Sequence, residues 1–216
     1  MGVEIDLLAN YPRAKRDPKA RAAEKTKEDI ATARKFGKEF FDGERRFGYG
    51  GYSYDPARWE GVVQDFIEWF GGISSVLDVG CAKGGLLAAF RAAIPGLPVE
   101  GLDVSRYAIS NAHPDVKDAL TYGTASHLTY DDKSFDIVVS INTIHNLDRR
   151  GCFLALKEIQ RVGHDAYVTV DAYRTDEEKK ALQDWNLTAK TILHEDQWKI
   201  LFDQAGYRGD YGFWRP

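Results

Sequence analysis

The residues best suited to chemistry in this chain lie in one turn, Asp78-Val79-Gly80-Cys81-Ala82-Lys83-Gly84-Gly85, and in a carboxylate further on, Asp103. Small side chains let a backbone approach a ligand closely, and a helix opening behind them offers unpaired N–H groups. A carboxylate at the end of the next strand, about 20 residues on, can accept both hydroxyls of a ribose. Gly80, Ala82 and Gly85 approximate a G-x-G-x-x-G dinucleotide fingerprint with one alanine. Asp78 argues against that ligand, because a carboxylate just before the first glycine repels a pyrophosphate. S-adenosylmethionine has no phosphate and carries an ammonium and a sulfonium, which tolerate a nearby carboxylate. A strand–turn–helix of purely structural purpose is the plain alternative.

Further candidates follow later strands. His145, in Asn142-Thr143-Ile144-His145-Asn146, can take a proton near neutral pH, or can order its loop by hydrogen bonding. Asp171 and Tyr173 stand at the same rim; Asp171 either positions an amine or hydroxyl or caps a helix near Thr175. Upstream, Gly48-Tyr49-Gly50-Gly51-Tyr52 with Arg45 and Arg46 is dense in glycines and aromatics and reads as an active-site lid. The stretch from Arg174 to His194, with Trp185, Asn186 and Lys190, either caps a substrate pocket or packs as helical turns. No Cys/His/carboxylate spacing reads as a metal site, and Cys81 reads as a small packing residue.

These groups need a scaffold, and the pattern supplies one. Arg13 to Phe41 is rich in Ala, Lys and Glu and predicts a helix. After Pro56 a second helix carries Trp59, Val62, Val63, Phe66, Ile67 and Phe70 and ends at Gly71-Gly72. Strands are expected at 75–79, 99–104, 119–122, 135–140 and 166–170, with helices at 84–93, 105–111, 151–161, 175–185 and 196–205, and an edge strand in 206–214. Alternating strands and helices imply an α/β fold with a mostly parallel, Rossmann-like sheet and right-handed crossovers. The expected organisation is one globular domain, with residues 1–55 as helix and lid and 56–216 as the ligand-binding body.

The net charge of −4 and the apolar fraction of 44% fit a globular protein and disfavour nucleic-acid binding, which needs a basic face. The basic run Arg13, Lys15, Arg16, Lys19, Arg21, Lys25 and Lys27 reads as a solvated helix face. No apolar run approaches a membrane span, and two cysteines make no disulfide framework, so a cytoplasmic setting is expected.

Val76-Leu77-Asp78-Val79-Gly80-Cys81-Ala82-Lys83-Gly84-Gly85 resembles the first motif of class I S-adenosylmethionine-dependent methyltransferases. Val99 to Ser105 resembles their second-strand motif, 123–138 the approach to the fourth strand, and 201–207 the late helix. The resemblance covers about two thirds of the chain. It implies S-adenosylmethionine as cofactor, with Asp78, Gly80, Cys81, Ala82 and Gly84 about its methionine and ribose. It also implies Asp103 on the ribose, Val104, Thr124, Ala125 and Ser126 about the adenine, and Asn142 beneath the sulfonium. Tyr49 and Gly50 would close over the cofactor as the lid, and His145, Asp171 and Tyr52 would serve the reaction. Ala82 stands where the motif usually has glycine, and Thr124 where many members have aspartate.

The expected activity is methyl transfer to oxygen or nitrogen of a small polar metabolite, with no nucleic-acid or membrane partner and with a homodimer left open. Decarboxylation or cyclisation on the same fold, and a non-catalytic binding subunit, are the competing readings.

Overall fold

The computed structural model describes residues 2–12 and 17–215. Its centre is a seven-stranded sheet of β1 (Val76–Val79), β2 (Val99–Asp103), β3 (Leu120–Tyr122), β4 (Phe135–Ile141), β5 (Gly163–Tyr173), β6 (Leu193–His194) and β7 (Asp210–Trp214). The order is β3-β2-β1-β4-β5, after which β7 and then β6 pair along β5. All the strand pairings are parallel, so the sheet is more uniform than the mostly parallel one expected. Strand order reverses between β1 and β4, and the carboxyl ends there are where an open α/β sheet binds ligands.

Helices cover both faces. On one face α7 (Arg149–Val162) and α9 (Glu195–Ala205) bring Cys152, Leu156, Ile159, Trp198 and Phe202 against Val138, Val168 and Val170. On the other, α4 (Glu60–Phe70) and α5 (Gly85–Ala93) bring Val63, Phe66, Leu87 and Phe90 against Val76, Ile137 and Tyr167. The alternation along β5, with Val168 and Val170 to one side and Tyr167 to the other, comes from the two-residue period of a strand. Two further helices follow strands of the sheet, α6 (Arg106–Ser110) after β2 and α8 (Asp176–Trp185) after β5.

The single helix expected from 13 to 41 is replaced by three short ones: α1 (Pro18–Glu24), α2 (Lys27–Ala33) and α3 (Lys38–Asp42). Thr26 explains the first break, because its hydroxyl accepts the Asp29 N–H while Asp29 accepts the Thr26 N–H, a capping box. The second lies at Phe36 and Gly37, where Phe36 takes φ +49°. Arg13, Lys15 and Arg16 lie outside the described residues.

Residues 3–5 run beside β7, Ile5 N–H donating to the Tyr211 carbonyl at 2.8 Å and Tyr211 N–H to that of Val3 at 3.0 Å. The buried Tyr167 hydroxyl fixes them by donating to the Ile5 carbonyl and accepting from Leu7 N–H. The expected edge strand is therefore covered by the start of the chain.

Candidate functional site

A cavity of about 800 Å³ opens over the carboxyl ends of β1, β2, β4 and β5. Its floor at the first turn is set by sterics. Gly80 has φ +90°, and a Cβ there would lie 2.2 Å from the Thr143 side chain. Ala82 holds φ +51°, a left-handed conformation that costs an L-residue about 1–2 kcal/mol.

Asp103 stabilises that conformation: one carboxylate oxygen accepts the Ala82 N–H at 2.8 Å, the other the Ser105 N–H at 2.7 Å. Burial raises the Asp103 pKa, and the backbone donors Ser105, Ala82 and Val104 counter it. Asp78, also buried, receives no hydrogen bond from the described residues. Burial, reinforced by the charge of Asp103, pushes its carboxyl up to about 8. Asp78 is thus largely protonated at neutral pH until a cation approaches, whereas the charge argument from sequence treated it as ionised. The contrast between a satisfied Asp103 and an unsatisfied Asp78 suits a ligand with ribose hydroxyls at one end and an ammonium at the other.

At the end of β4, Asn142 holds φ +49° and is fixed to β5: its N–H donates to Thr169 Oγ1 at 3.0 Å, and its Oδ1 accepts from that hydroxyl at 3.1 Å. Three residues on, His145 is buried, and its Nδ1 accepts the Asp171 N–H at 3.0 Å. Its Nε2 stands 3.9 Å from Asp171 Oδ2, which accepts from Asn186 Nδ2 at 2.5 Å. The His145 carbonyl accepts the N–H groups of Lys190 and Thr191. Hydrogen bonding thus engages His145 in ordering its loop. Asp171 does not cap α8; Thr175 does that with Glu178.

The roof comes from both ends of the sequence. In the segment 43–52, Tyr49 N–H donates to the Phe40 carbonyl and Gly51 N–H to that of Phe41. Asp42 latches the segment to the turn, accepting from Lys83 Nζ at 2.7 and 2.9 Å, the Tyr107 hydroxyl at 2.6 Å and Tyr52 N–H at 3.1 Å. Burial opposes the Asp42 charge, but these donors outweigh it and hold the carboxyl below its usual pKa. The rings of Tyr49 and Tyr52 meet at 4.7 Å and both line the cavity. Burial, with Tyr49 and Asp78 adding to it, keeps the Tyr52 phenol well above its ordinary pKa, so it is a hydrogen-bond donor at neutral pH.

The second half of the roof is α8 and the loop after it. Lys25 Nζ donates to the carbonyls of Gln183, Asp184 and Asn186, satisfying the exposed end of α8. Arg21 and Arg45 stack on the Trp185 ring at 4.9 and 5.5 Å.

Of the positions expected about a cofactor, Tyr49, Asp78, Gly80, Cys81, Ala82, Asp103, Val104, Thr124, Ala125 and Asn142 line the cavity, as do Tyr52, His145 and Asp171. Three do not. Gly84 sits at the start of α5 with φ +80°, where a Cβ would meet Val116 and Leu120. Gly50, at φ +72°, lies against the Arg45 side chain, and Ser126 pairs its hydroxyl with that of Thr124. Arg46 turns outward onto Phe47, and His194 caps α9. Sequence reading missed Arg21 and Arg34 as cavity residues because their charge pattern matches any solvated helix. Tyr11 and Trp214 were missed because only tertiary packing brings them to the cavity.

Residues 76–165 match a family model described as a methyltransferase domain. No curated protein matches the chain. Among solved structures, it is similar to a chain of the Haloferax volcanii complex between the Trm112 methyltransferase activator and a candidate methyltransferase. Identity there is 26%, coverage 62% of this chain and 60% of that one, and the TM-score 0.51. A SAM-dependent methyltransferase from Archaeoglobus fulgidus shares the fold at 19% identity, with 79% and 72% coverage and a TM-score of 0.57. The YcgJ protein from Bacillus subtilis does so at 19% identity, with 66% coverage of each chain and a TM-score of 0.55. The chain thus spans less than two thirds of the length of the haloarchaeal protein it matches.

Proposed function

We propose that the chain is a class I, S-adenosylmethionine-dependent methyltransferase that transfers a methyl group from that cofactor to oxygen or nitrogen of a small polar metabolite, a reading supported by the methyltransferase-domain match over residues 76–165. The observation that carries this reading is the roofed cavity, which runs from the carboxylates of β1 and β2 to the His145–Asp171 pair at the ends of β4 and β5. A chamber covered by the chain's own segments 17–52 and 185–190 suits a small acceptor better than a polymer. No helix among the described residues is long and apolar enough to cross a membrane. Two free, buried cysteines are compatible with the reducing cytoplasm we assign to the reaction.

In this reading Asp103 holds the ribose hydroxyls, Asp78 takes the ammonium, and Gly80 and Ala82 give the close backbone approach. Val104 and Ala125 flank the adenine, and Asn142 lies under the reacting end. The cofactor, when bound, supplies an already activated methyl carbon, so the protein's part is mostly positioning, worth about 7–11 kcal/mol in well-oriented systems. Asp171, oriented by Asn186 Nδ2, is the acceptor best placed to draw a hydroxyl or amine into line.

Two measurements test the proposal. Asp103→Ala should weaken S-adenosylhomocysteine binding by about 1–3 kcal/mol in calorimetry, the range for a charge-assisted hydrogen bond. Unchanged affinity would remove Asp103 from the ribose. With acceptor present, mass spectrometry should find S-adenosylhomocysteine accumulating; turnover without it would point instead to decarboxylation or cyclisation.

A further inference from the structure

Charge in the cavity is segregated. The carboxylates, Asp78, Asp103 and Asp171, all belong to the strand ends of the floor. The cations that line it, Arg21, Arg34, Lys35, Arg45, Arg58 and Lys190, all lie outside the sheet; of these, Arg34, Arg45 and Lys190 come from α2's end, the segment 43–52 and the loop after α8. Among the described residues Arg34, Arg45 and Lys190 have no carboxylate within ion-pair distance, whereas Arg58 has Asp55. Other cations of the chain are paired with carboxylates, such as Arg161 with Glu158 and Asp132, Arg215 with Glu4 and Glu195, and Lys83 with Asp42, whereas Arg34, Arg45 and Lys190 are exposed along the cavity. An acidic floor suits a cationic methyl donor, which leaves the basic roof to the other occupant of the chamber.

A second observation concerns the same half of the cavity. Asn146 lines it beside His145, and its Oδ1 is buried with no hydrogen-bond donor among the described residues. A buried carbonyl oxygen without a donor costs about 1–3 kcal/mol, which a hydroxyl or amine of a ligand would recover. The segment that carries Lys190 is tied to this loop: the Lys190 backbone N–H donates to the His145 carbonyl at 3.1 Å, and the Arg34 guanidinium donates to the Ala189 carbonyl at 3.2 Å. Roof and floor are thus joined by hydrogen bonds at the His145 loop.

Resting on the methyl-transfer reading, we propose that the acceptor is an anion: a small hydroxyl- or amine-bearing molecule with a carboxylate or phosphate held by Arg34, Arg45 and Lys190. Its donor group pairs with Asn146 Oδ1, and the atom to be methylated faces Asp171. Arginine forks fit either oxyanion, so the shared chemistry is the negative, multidentate end.

The test uses the full chain saturated with S-adenosylhomocysteine and three calorimetric probes: glycerol 3-phosphate, glycerate and neutral glycerol. Either or both anions should bind while glycerol does not, and which of them binds identifies the oxyanion. Arg34→Gln and Lys190→Gln should each weaken anion binding about tenfold, the loss of one charge-assisted contact, with S-adenosylhomocysteine affinity unchanged. Lys190→Gln leaves the latched segment untouched, so it stands if an arginine variant proves unstable. Glycerol binding as well as the anions, no anion binding, or unchanged affinity in both variants would overturn the proposal. Failure of S-adenosylhomocysteine itself to bind would overturn the methyl-transfer reading instead, and the anion titration is then read on the cofactor-free protein.

Discussion

Asp78 and Asp103 face one cavity from neighbouring parallel strands, yet Asp103 accepts two backbone N–H groups and Asp78 accepts none from the described residues. Burial and the Asp103 charge raise the Asp78 carboxyl to about 8, so near neutral pH it holds a proton in the free protein. An ammonium placed beside it reverses that preference. Cofactor binding at pH 7 is therefore expected to release up to about one proton, read by calorimetry in buffers of different ionisation enthalpy. Asp78→Asn should abolish the release. The sign for stability follows from the same shift: the folded state binds the proton more tightly than the unfolded state. Stability of the free protein should then fall as pH rises from about 4 to 8, and Asp78→Asn should flatten that slope. Proton release equal in the variant would show that Asp78 does not meet the ammonium.

The turn tolerates side chains unequally. At Gly80, φ +90° and a virtual Cβ 2.2 Å from Thr143 leave no room. Gly80→Ala should lower the melting temperature and abolish cofactor binding. Ala82 already holds φ +51°. Ala82→Gly removes about 1–2 kcal/mol of left-handed strain, against about 0.4–1 kcal/mol of added unfolded-state entropy, so it should be neutral to stabilising by about 1 kcal/mol. Thermal unfolding of both variants checks the contrast, and a destabilising Ala82→Gly would contradict it.

The floor of this site was legible in the sequence because its parts are local. Asp78, Gly80 and Asp103 follow directly from apolar runs that could only be buried parallel strands. Of the roof, the lid 48–52 and the capping stretch 174–194 were legible as segments, but not the contacts that hold them, which cross the chain: Lys25 holds carbonyls at the end of α8 roughly 160 residues away. Nothing in the composition of 13–41 distinguishes one long helix from three short ones. Thr26 breaks it through a capping box with Asp29, and the turn at Phe36 is anchored by the Ser105 hydroxyl donating to the Phe36 carbonyl. The raised pKa of Asp78 in the free protein was not legible for a related reason, since burial and the neighbouring carboxylate belong to the fold and not to the motif.

Asp42 is the latch between the segment 43–52 and the cofactor turn, through Lys83, Tyr107 and Tyr52 N–H. Asp42→Asn should loosen that segment, seen as faster amide exchange over 43–52, and weaken cofactor binding by about 1–2 kcal/mol. Since the donors hold the Asp42 carboxyl below its ordinary pKa, its contribution is present above the unfolded carboxylate range. It is lost as pH falls through the folded value. Exchange rates over 43–52 equal in variant and parent would show that the latch does not hold the segment.

His145 separates a base from a positioning residue. Its Nδ1 accepts the Asp171 N–H, which places the proton of the neutral ring on Nε2, 3.9 Å from Asp171 Oδ2. The lone pair that a general base would use is occupied, and the ring's role in this geometry is to fix the β4 and β5 ends together. His145→Ala should then leave the buried Asp171 N–H without an acceptor and cost about 1–3 kcal/mol of stability. It should lower kcat by displacing Asp171 and Asn146 while the shape of the pH–rate profile stays that of the parent. His145→Asn, which keeps an acceptor oxygen near the Nδ1 position, should recover part of both losses. An acidic limb present in the parent profile and absent from both variants would instead establish His145 as the base.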